Sequence, residues 1–95
     1  MNIDEVRLKV KEIIIEVLEL DDKSPVDIKN DEAFFGTEEE PGIIQDSLAI
    51  LEISTVLGEE FDIMPSEFNE ESFQNVDSLS EMILRNVLAE LAENQ

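Results

Sequence analysis

The stretch Asp46-Ser47-Leu48-Ala49-Ile50-Leu51-Glu52-Ile53-Ser54-Thr55-Val56-Leu57-Gly58-Glu59-Glu60-Phe61-Asp62-Ile63 decides the fold of this chain. Ile50, Ile53, Leu57 and Phe61 recur at helical spacing and form one apolar stripe. The stripe predicts a helix from Ser47 to about Phe61, roughly 22 Å long at ~1.5 Å per residue. Leu48, Leu51 and Thr55 lie on a different line of that helix, beside Ser47. Asp46 is a favoured N-cap type, because its carboxylate accepts a bond from a first-turn amide. Gly58 is a weak point, since a helical glycine costs about 1 kcal/mol relative to alanine.

The rest of the chain reads the same way. Val6, Val10, Ile13, Ile14 and Val17 form the stripe of a first helix over about 3–20, with Asn2 as N-cap and Glu5 closing a capping box. Asp21-Asp22-Lys23-Ser24-Pro25 stops it. Residues 21–45 then form a long connection, interrupted by Val26, Ile28, Phe34 and Phe35, which are expected to pin it to the core. Ile43 and Ile44 lead into the second helix as in a hydrophobic staple. A short helix is expected over about 66–72, with Phe68 and Phe73 turned inward. A last helix, capped by Asn75, should run over about 76–91 and bury Val76, Leu79, Met82, Ile83, Val87 and Leu91. Glu93-Asn94-Gln95 should fray. No strand alternation, hairpin turn or internal repeat is present. The chain reads as a single all-α domain over residues 1–95.

Composition narrows the function. A chain of 95 residues buries only about 60–65% of the surface its unfolded form exposes, so its core must be simple. The absence of cysteine rules out disulfides and thiolate metal sites. There is no histidine, so the commonest general base and the usual transition-metal ligand are missing. No apolar run approaches the ~20 residues that cross a bilayer. The acidic start, Met1-Asn2-Ile3-Asp4-Glu5, is unlike a signal peptide. These features predict a soluble, cytoplasmic protein that is not a membrane protein, in which any catalysis must rely on Asp, Glu, Lys or Ser alone.

The net charge is -19, and it is unevenly spread. Residues 1–29 hold five of the six bases. From Asn30 onward one base, Arg85, faces seventeen acids, a local balance of -16. Such a surface repels phosphate backbones and argues against nucleic acid. It attracts basic protein patches in a salt-dependent way.

Ser47 is the residue with chemical promise. A phosphodiester at the start of a helix meets free N–H groups and the positive end of the dipole, worth about 0.3–1 kcal/mol. Asp-Ser-Leu by itself is only a common way to begin a helix, and the chain contains it twice. Asp77-Ser78-Leu79 follows Phe73-Gln74-Asn75-Val76 and reads as a cap of the last helix. Asp46-Ser47-Leu48 follows a long loop and precedes a helix ending in Glu59-Glu60-Phe61-Asp62.

Over about residues 3–91 this arrangement resembles the acyl carrier protein family. The residues that carry the resemblance are Val6 to Ile14 of the first helix, the Asp46-Ser47-Leu48 motif, Glu52, the Glu59-Glu60-Phe61-Asp62-Ile63 ending, and Phe73 to Leu79 leading into the last helix. The resemblance implies a four-helix bundle with a short third helix and a long loop between the first two. It also implies 4'-phosphopantetheine, transferred from coenzyme A to Ser47 by a phosphopantetheinyl transferase and carrying acyl groups as thioesters. Asp46 and Leu48 would flank the attachment point. Leu51, Glu52, Thr55, Glu59, Glu60 and Asp62 match the family's contact positions for acyl-transferring and synthase enzymes with basic patches. The resemblance implies a carrier that is not itself an enzyme, and a monomer is expected.

Three features depart from the family pattern. Ile44-Gln45 precedes Asp46 in place of a glycine-containing pair. Ala49 and Gly58 stand where acids are common. The loop through residues 36–42 is about five residues longer. These departures suit a specialised lipid, polyketide or other acyl pathway better than a standard fatty acid synthase.

Two other classes compete. An acidic helical interaction module without a prosthetic group has the same fold and surface. An enzyme with paired carboxylates has no pair that stands out. A calcium loop at Asp27-Ile28-Lys29-Asn30-Asp31-Glu32 fails, because Lys29 and Glu32 occupy its third and sixth positions.

Overall fold

Asn2 caps the first helix, its side-chain oxygen accepting the Glu5 amide at 2.9 Å. The box closes between side chains, with Asn2 Nδ2 donating to Glu5 Oε1 at 3.4 Å. In the computed structural model, residues 2–35, 39, 42–44 and 47–93 are described, those at 47 and 93 by their backbone only. Asp46, Gln45 and most of the 36–42 extension therefore lie outside the described residues, as do Asn94 and Gln95.

Among the described residues, three α-helices carry the fold: α1 (Ile3–Leu18), α2 (Ser47–Phe61) and α3 (Val76–Glu93). No strand occurs among the described residues. The first helix ends two residues before the predicted stop, because Glu19 adopts a left-handed conformation with φ 54°. The Leu20 amide then donates to Ile15 O at 3.0 Å and the Glu19 amide to Glu16 O at 3.3 Å. That pair of bonds is a Schellman ending, which satisfies the last carbonyls.

The expected short helix over 66–72 does not form. Two 3-10 turns, Pro65–Glu67 and Ser72–Gln74, stand at either end of the segment. The reason is local competition for the backbone. Asn69 Oδ1 accepts the Ser72 amide at 2.9 Å, and Ser72 Oγ accepts the Asn69 amide at 3.0 Å. A third 3-10 turn, Pro25–Asp27, is held by Asp27, whose carboxylate accepts from the Ser24 amide at 2.8 Å and from its hydroxyl at 3.2 Å. Those bonds, the backbone one foremost, lower the pKa of Asp27 below its ordinary value.

The core joins Val6, Val10, Ile13 and Ile14 of α1 to Ile53, Leu57 and Phe61 of α2 and to Val76, Leu79, Met82 and Ile83 of α3. Ile28, Phe34 and Ile44 of the connection are buried with them. Val26 is not: it is 89% exposed, against the expectation that it anchors the loop. Phe35 is 45% exposed. Apolarity in a loop does not fix direction, and in this adjacent pair only Phe34 turns inward. Ile50 and Val87 are half-buried at the edge of the core. Leu91, placed in the buried stripe by its spacing, is 55% exposed because α3 continues past the packed region.

The connection is stitched to the start of α3. The Phe34 amide donates to Gln74 O at 2.8 Å, the Asp77 amide to Asn30 O at 2.9 Å, and the Ile44 amide to Phe34 O at 2.9 Å. Arg7 ties α1 to the same place. Its Nε donates to Asp77 Oδ1 at 2.8 Å and its Nη1 to Asp4 Oδ1 at 3.0 Å. Burial opposes the charged guanidinium, but these two acids outweigh it and raise its pKa.

Candidate functional site

Ser47 is the first residue of α2. Its amide belongs to the first turn, where N–H groups have no intrahelical partner. The turn that follows presents apolar surface. Leu48 is 63% exposed and Leu51 64%. Glu52, Thr55, Glu59 and Glu60 are exposed too, and Asp62 follows at the helix end with φ 56°. Leu48, Leu51, Glu52, Thr55, Glu59 and Glu60 thus belong to the uncovered part of α2, while Ile53 and Leu57 are fully buried. Lys9 of α1 reaches Glu60, with Nζ 3.3 Å from the carboxylate. Thr55 Oγ1 donates to Leu51 O at 2.8 Å, so its hydroxyl is occupied within the helix.

Beside this face lies a cleft of about 290 Å³. Ile50, Leu51, Ser54 and Thr55 of α2 form one wall, with Phe35 from the connection and Pro65, Phe68 and Phe73 from the segment before α3 opposite. Asn69 and Glu70 line it as well. The Phe68 and Phe73 rings are tilted against each other with centroids 5.9 Å apart, an arrangement aromatic pairs favour. Leu51 and Thr55 also border a groove of about 310 Å³ lined by Val17, Glu52 and Val56. These two residues form a ridge between two hollows.

The second Asp-Ser-Leu motif behaves differently. Ser78 Oγ accepts the Asn75 amide at 3.1 Å and lies 2.8 Å from Ser72 O, to which it can donate. The Ser78 amide donates to Asn75 Oδ1 at 2.8 Å. Ser78 is a part-buried capping residue, as its sequence context predicts.

The cleft was not legible in the sequence. Ile50 was assigned to the core by its spacing, yet it stands at the stripe's edge and lines the cleft. Ser54, Phe35 and Phe68 belong to the site only through the tertiary placement of loop and turns, for which the sequence carries no signal. Among the described residues, no group of three or more acids converges as a cation site. No described helix is long and apolar enough to cross a membrane. Comparison with protein-family models, curated proteins and solved structures finds no match to this chain.

Proposed function

We propose that this protein is an acyl carrier whose attachment residue is Ser47. One observation carries the reading: an uncovered apolar ridge and an apolar cleft begin one turn along α2 from Ser47, whereas Ser78, in the matching motif, is held in a helix cap.

The residues fit a phosphopantetheine group. A phosphodiester on Ser47 would meet the first-turn amides and positive dipole end of a helix fifteen residues long. Ile50 and Leu51, three and four positions on, share a helix face with that position. When bound, the arm supplies the thiol that holds an acyl group as a thioester, which this cysteine-free chain cannot supply itself. Ile50, Phe68 and Phe73 would shield an apolar acyl chain from water. Leu48, Leu51 and Thr55 would meet partner enzymes, with Glu52, Glu59 and Glu60 attracting their basic patches. A phosphopantetheinyl transferase and acyl-transferring or synthase enzymes are the implied partners. On this reading, the two 3-10 turns before α3 stand where the family has its short third helix.

A second reading keeps the same surface without the arm. Exposed Leu48 and Leu51 flanked by acids suffice for docking a basic protein. Coenzyme A and a phosphopantetheinyl transferase separate the two. The carrier gains one arm in intact mass, loses that gain in Ser47→Ala and keeps it in Ser78→Ala. The interaction module gains nothing with any transferase.

A further inference from the structure

We draw no further inference here: the strongest candidate, the hollow of about 170 Å³ between α1 and the 3-10 turn Pro25–Asp27, with Leu8 and Val26 exposed in its wall, carries nothing, because its Arg7 is already held by Asp4 and Asp77 and nothing in the structure shows what covers it.

Discussion

The Ile63 amide donates to the carbonyl of Gly58 at 2.9 Å, and a Cβ on Gly58 would lie 2.7 Å from the Ile63 carbonyl oxygen. Asp62 between them takes φ 56°, folding the chain back over the last turn of α2. Glycine at position 58 is thus what lets the helix end in this way, not a lapse in helix propensity. The close atom belongs to the backbone and cannot swing aside.

Gly58→Ala should therefore destabilise the protein although alanine is the better helix former. A propensity gain of about 1 kcal/mol is set against an overpacking cost of about 1–3 kcal/mol. A net loss of up to about 2 kcal/mol is expected from urea unfolding. A more stable variant would show that the α2 ending relaxes freely.

The two faces of α2 should respond oppositely. Ile53 is fully buried and Leu51 is 64% exposed. Ile53→Ala should cost about 2–5 kcal/mol, and Leu51→Ala within about 0.5 kcal/mol. Leu51→Ala should instead weaken docking to a basic partner. Equal stability losses would mean that α2 presents a different face to the core.

These faces were readable before any coordinates, because a period of 3.6 residues separates Ile53, Leu57 and Phe61 from Leu48, Leu51 and Thr55. The bounds of α2 followed from the same pattern. The early end of α1 did not, because it depends on Glu19 entering a left-handed conformation that its residue type does not announce. The missing short helix depended on Asn69 and Ser72 bonding each other's backbone. Val26 and Phe35 were misread because hydrophobicity gives an orientation only where a regular period accompanies it. Of the candidate site, the helix start at Ser47 and the exposed line of α2 were legible. The cleft was not, because its opposite wall comes from Phe35, Pro65 and Phe68, brought there by long-range packing.

Charge should dominate the solution behaviour. With -19 on a small domain, like-charge repulsion opposes folding and salt screens it. Raising sodium chloride from about 0.02 M to about 0.2 M should raise Tm, even though it also weakens the Arg7 and Lys9 ion pairs. Asp27 adds a pH-dependent contribution of its own. Its folded pKa lies below its ordinary value, so its contribution is present above that value and is lost as pH falls through the folded one. Asp27→Asn should flatten the loss of stability below about pH 4, measured as urea midpoints across pH. A Tm indifferent to salt would show that repulsion is not limiting.

The most direct measurement is the location of the arm. The unsubstituted protein, treated with coenzyme A and a phosphopantetheinyl transferase, is digested and its two Asp-Ser-Leu peptides are sequenced by tandem mass spectrometry. The carrier account predicts stoichiometric modification of Ser47 and none of Ser78. An unmodified Ser47 across several transferases, or an arm found on Ser78, contradicts it.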